Sequence, residues 1–175
     1  MHRFILTALA TAALASVASA QTFTGTTVGG PTWNRPNANG ALPPNALSGF
    51  ATAVPLNSFN FTVATAGSYS VQSTATGGWD NYTFLYQNSF NAGSPLTNVI
   101  IGNDDNVSIG LSGFTATLTP GTQYFLVTTG RLNASLGAFS NAFSGPGGVL
   151  SPEPGTFALV GLMLLPAGIA LRRRK

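Results

Sequence analysis

The chain has 175 residues and a formal net charge of +3, yet only 6% of it is charged and it contains no cysteine. Between Gln21 and Ser151 the charged residues are Arg35, Arg131, Asp80, Asp104 and Asp105, two positive against three negative for a net of −1, so the positive excess belongs to the two ends. This excludes a nucleic-acid partner, which needs a basic surface to neutralise phosphates, and leaves the body to stand on its core without disulfides.

Residues 1–20 read as a cleaved signal peptide. Met1-His2-Arg3 is a short basic start, Phe4 to Leu14 is apolar, and Ala18-Ser19-Ala20 offers the small side chains that signal peptidase accepts, so the cut is expected before Gln21. The apolar run is too short, and too broken by threonine, for an uncleaved membrane span.

From Gln21 to Ser144 the chain reads as one all-β domain. No window holds a 3.6-residue period, while short alternating or apolar runs recur between turn residues. The spacing predicts strands over Thr22 to Val28, Gly49 to Val54, Ser58 to Val63, Ser68 to Thr74, Asn81 to Gln87, Leu96 to Ile101, Gly113 to Leu118, Gln123 to Thr129 and Gly137 to Ser144. Phe59, Phe61 and Val63 share one face and the turn Ala64 to Gly67 leads to Tyr69 and Val71, so these two strands are expected to form a hairpin. Gly113 to Leu118 and Gln123 to Thr129, around Pro120-Gly121, make a second expected pair. Tyr124 to Val127 is apolar on both faces, which suits the centre of a sheet. The fold class that follows is a two-sheet antiparallel β-sandwich, jelly-roll-like. Gly29 to Pro44, rich in proline, glycine and asparagine, is expected to be a long surface loop, with Trp33 in it and Trp79 in another. An exposed ring at Trp33 or Trp79 would stack on a sugar, whereas a buried one would plug an end of the sandwich.

The stretch from Gly77 to Asp105 holds all three acidic residues of the body. Asp80 opens one strand, and Asn103-Asp104-Asp105 follows the next. Together with Pro120-Gly121-Thr122-Gln123-Tyr124-Phe125-Leu126-Val127, this order resembles bacterial pre-peptidase C-terminal domains, over roughly Gly67 to Gly130. The resemblance implies a small sandwich in which some members bind calcium, and Asp80, Asp104 and Asp105 are hard oxygen ligands of the kind calcium takes, with Asn81, Asn103 and Asn106 as further donors. The alternative is that these residues cap turns.

Chemistry beyond binding has little to work with. The single histidine is His2 and the single glutamate is Glu153, so the body lacks histidine, cysteine, lysine and glutamate. The usual nucleophile and base pairs are therefore excluded, and only a carboxylate dyad of Asp80 with Asp104 or Asp105 would support a hydrolase.

Gly145 to Leu150 reads as a linker. Beyond it, Ser151 to Lys175 has three parts: Pro152-Glu153-Pro154, an uncharged run from Gly155 to Leu171, and Arg172-Arg173-Arg174-Lys175. As a helix the run would be roughly 25 Å long, near the thickness of an apolar bilayer core, with the arginines held on the cytoplasmic side. This order of parts resembles the PEP-CTERM sorting signal of Gram-negative bacteria, with Pro166 and Ser151 as departures from its usual pattern. The resemblance implies export across the inner membrane, transient anchoring by the C-terminal helix, processing by exosortase, and release to the cell surface or an exopolysaccharide matrix. The whole chain then reads as a non-catalytic envelope or matrix protein, with a carbohydrate- or calcium-binding module as the alternative.

Overall fold

The computed structural model describes residues 19–38 and 41–151. The expected signal and transmembrane helices lie outside these residues, as do Ala18, the Pro152-Glu153-Pro154 motif and Arg172 to Arg174. Within them the chain is all β: β1 (Ser19–Thr26), β2 (Thr32–Trp33), β3 (Val54–Val63), β4 (Gly67–Ala75), β5 (Asn81–Gln87), β6 (Val99–Asn103), β7 (Leu111–Leu118), β8 (Tyr124–Gly130), β9 (Ala138–Gly145) and β10 (Val149–Leu150). One sheet has the order β1-β9-β4-β7 and the other β10-β3-β8-β5-β6, with β2 also paired to β3. Every pairing is antiparallel.

Alternation places Phe61 and Val63 of β3, Leu85 of β5 and Leu126 of β8 against Tyr69 and Val71 of β4 and Phe143 of β9, and these residues form the core between the sheets. β8 lies between β3 and β5, the central position that its two apolar faces imply. The two expected hairpins are not formed. β3 and β4 lie in opposite sheets, as do β7 and β8, so residues 64–66 and 119–123 carry the chain across the sandwich. An arch between sheets and a hairpin within one bury the same alternate residues, which is why the local pattern reads alike for both.

Two further expectations are corrected. The segment from Gly29 to Pro44 is irregular and in part exposed, but Trp33, Arg35 and Pro36 in it are buried, and Trp33 joins Ala51 and Val54 in covering the outer face of the six-stranded sheet, where they pack with Tyr82, Phe84, Tyr86 and Val127 in a second core cluster. The strand expected over Gly49 to Val54 is not formed, since the one expected from Ser58 already begins at Val54 as β3, and that expected from Leu96 begins at Val99. Nor is Gly145 to Leu150 a free linker, because β9 runs to Gly145 and β10 pairs Val149 with Val63 and Leu150 with Thr62.

The registers also orient the molecule. Ser19 with Gly145, Gly67 with Leu118, and Val63 with Val149 mark one end, where the described chain begins and from which β10 runs back along β3. Asn81 with Gly130 and Thr83 with Asn103 mark the other.

Candidate functional site

At that second end the strand termini deliver charge. Asp80 precedes β5, Asp104 and Asp105 follow β6, and Arg131 follows β8. Because β5 pairs with both β6 and β8, all four residues are brought together. One carboxylate oxygen from each of Asp80, Asp104 and Asp105 lies within 4.8 Å of the others. The three acidic residues singled out in the sequence are thus one cluster. Arg131, which the sequence did not single out, faces it: its Nη1 is 3.8 Å from Asp80 Oδ2 and its Nε 3.3 Å from Asp104 Oδ2.

Arginine does not settle the cluster. Asp80 Oδ1 and Asp104 Oδ1 are both buried and accept no hydrogen bond. Burial is the largest cause pushing the Asp104 carboxyl above the ordinary range, reinforced by Asp80 and Asp105 and opposed by Arg131 and Arg35. Asp80 is raised too, again chiefly by burial, with Arg131 opposing and Asp105 adding to it. The donor set suits a hard cation, since carboxylate oxygens are what calcium takes. Of the amides offered as completing ligands, the Asn103 oxygen is engaged, while Asn81 Oδ1 is buried and accepts no hydrogen bond. Asn81 is buried and donates to Ser73 Oγ at 3.0 Å, Asn103 Oδ1 accepts from Gly113 N at 3.0 Å, and Asn106 Nδ2 donates to Gln72 Oε1 at 2.6 Å.

Arg35 is the second residue that sequence reasoning passed over. Only 3% exposed, its guanidinium donates to the carbonyls of Gly130, Pro36 and Arg131 at 3.1, 2.9 and 2.8 Å and lies 3.9 Å from the centroid of the Tyr82 ring. Tyr82 OH accepts from Ala38 N at 2.9 Å. Arg35 thereby pins the covering loop to the end of β8, beside the acidic cluster. A hollow of about 340 Å³ opens there, floored by Arg35 and Tyr82 and walled by Asp104 and Arg131. Its polar floor is occupied with these internal bonds.

Neither tryptophan presents a free ring. Trp33 is 3% exposed and donates its Nε1 to Thr129 Oγ1 at 3.1 Å, so the expectation that it stacks on a sugar is corrected: it plugs the outer core instead. Trp79 is half-buried and donates its Nε1 to the Ala138 carbonyl at 2.9 Å. Gly137 makes room for it, since a Cβ at 137 would fall 2.6 Å from Trp79 Cδ1. Of the expected cleavage residues, Ala20 and Gln21 lie in β1, where they pair with Ser144 and Phe143.

No family model and no curated protein matches the chain. Among solved structures, the K1 cleaved adhesin domain of Lys-gingipain from Porphyromonas gingivalis W83 is similar at 13% identity and a TM-score of 0.40, covering 78% of this chain and 99% of that one. The K3 cleaved adhesin domain of the same protein is similar at 10% identity and a TM-score of 0.33, over 74% of this chain and 91% of that one. The pre-peptidase C-terminal domain of a collagenase from Bacillus anthracis, of the family that Gly67 to Gly130 resembles, is similar at 15% identity with a TM-score of 0.44, covering 70% of this chain and 87% of that one.

Proposed function

We propose that the chain is an exported, non-catalytic module of the cell envelope or extracellular matrix of a Gram-negative bacterium. Signal peptidase would remove residues 1–20, the C-terminal helix would hold the protein in the inner membrane, and exosortase would process the tail. The observation that carries this reading is the order of parts in Ser151 to Lys175, a Pro-Glu-Pro motif, an uncharged run and a basic end. Intact-mass analysis of protein from its native source tests the reading. A chain starting at Gln21 and ending near Pro152 to Pro154 is expected, and a species retaining Arg172 to Lys175 would overturn it.

A hydrolase would have to rest on Asp80 with Asp104 or Asp105. The body between Gln21 and Ser151 has no histidine, cysteine, lysine or glutamate to serve as a base or nucleophile partner. Purified protein is expected to show no hydrolase activity; activity lost in Asp80→Asn or Asp104→Asn would contradict this.

One observation favours a second reading, a calcium-binding module. Three carboxylates converge within 4.8 Å, and two of their oxygens are buried without a hydrogen-bond donor. A divalent cation held by Asp80, Asp104 and Asp105 would cancel their mutual repulsion and stabilise the folded state alone. Thermal unfolding in millimolar calcium is then expected to run several degrees above unfolding in chelator, with the gain absent in Asp104→Asn. Identical wild-type curves would overturn this reading.

A further inference from the structure

Residues 146–150 are the last of the body before the tail, and they are held at several points. Val149 is 4% exposed and joins the core with Val63. Gly148 O accepts from Ala64 N at 2.9 Å, and Gly147 lies so close to β4's approach that a Cβ there would fall 2.8 Å from Thr65 Cβ. Val149 donates its own N–H not to β3 but to Oε1 of Gln21. Gln21 belongs to β1, in the opposite sheet. The bond therefore ties the two sheets across the flank of the sandwich, and among the described residues it joins the first strand to the last.

We infer that residues 146–150 form a strap that must peel from β3 before the chain near Pro152 is open to processing, and that Gln21 is its latch. A protease binds several residues on either side of the scissile bond as an extended strand. Only Ser151 separates Leu150 from Pro152, a span of at most about 7 Å. The binding positions before a cut near Pro152 therefore fall on Leu150 and Val149, whose backbone is paired and, for Val149, whose side chain is buried. Peeling is local, because β10 is the edge of its sheet and its removal leaves the β3-β8 ladder whole. Removal of the signal before Gln21 makes the latch residue the first of the chain, so the state of one processed end is felt at the other.

This consequence rests on the tail being a processing signal, which intact mass tests separately; the strap itself is tested without it. The full chain in detergent micelles is treated with thermolysin, which hydrolyses peptide bonds before apolar residues, water adding across the C–N bond. Mass spectrometry follows cutting before Val149 and Leu150, with a cut before Leu85 inside β5 as the reference. Loss of one hydrogen bond in Gln21→Ala is expected to speed strap cutting roughly fivefold while the β5 rate holds. Gln21→Glu, which still offers an oxygen to the Val149 N–H, is expected to cut at the wild-type rate. Equal strap rates in wild type and Gln21→Ala would overturn the latch, and a parallel rise at Leu85 would show general loosening instead of a strap.

Discussion

Asp104 has a buried, unbonded Oδ1, two carboxylates beside it and Arg131 on one side. Its carboxyl, like that of Asp80, titrates above its ordinary 3.8 in the folded chain. The folded state then holds protons more tightly than the unfolded one, so the stabilisation from protonating these groups is complete below about pH 3.8 and is lost as pH rises through the folded pKa. In chelator the melting temperature is therefore expected to fall between about pH 4 and neutrality, opposite to an ordinary salt-bridged carboxylate. Asp104→Asn is expected to flatten that profile and to raise the neutral melting temperature by about 2 °C. Calorimetry across this pH range checks both, and a melting temperature that climbs toward pH 7 would contradict the account. Part of this site was legible in the sequence. Asp80 and Asp104 flank β5 and β6, neighbours in the chain that pair with each other, so their meeting follows from one local hairpin. Arg131 arrives only because β8 pairs with the other edge of β5, a partnership with no local signal.

At the scale of elements, what looked like connections act as cover. The segment from Thr32 to Ala51 spreads over Tyr82, Phe84 and Tyr86, and the bonds from Arg35 hold it down. Arg35→Lys keeps the charge but not the planar fork that reaches three carbonyls, and is expected to cost about 2 kcal/mol in urea unfolding. A cost near zero would show that the loop is held by Trp33 alone. The strap is a second case. A chain ended at Ser144 lacks the burial of Val149 and its pairing with Val63, and is expected to be about 2 kcal/mol less stable than one ended at Ser151. That corresponds to a melting temperature lower by about 5 °C, readable by circular dichroism. These covers escaped the sequence reading because glycine, proline and asparagine mark the absence of regular structure, not the absence of burial.

Across the whole molecule the two core clusters share a sheet: Leu85 and Leu126 face inward into one while Phe84 and Val127, their neighbours on the same strands, face outward into the other. Neither layer is expected to melt alone. Trp33 reports the outer cluster and Trp79 the charged end, so tryptophan fluorescence and far-ultraviolet circular dichroism should give coincident denaturant transitions, and separated midpoints would show independent layers. By itself the amino-acid sequence determined the β class, the position of most strands and the central place of β8, because the period of two reports which faces of each strand are apolar. It also determined the absence of the usual catalytic pairs, which is a matter of composition. Only the tertiary structure decided that β3 and β4 arch between sheets, that Trp33 is buried, that Gln21 meets Val149 and that Arg131 joins the aspartates. Side-chain alternation specifies a face, while the edge on which a strand pairs is settled by backbone hydrogen bonds that every residue offers alike, and so by how the two sheets close over a common core.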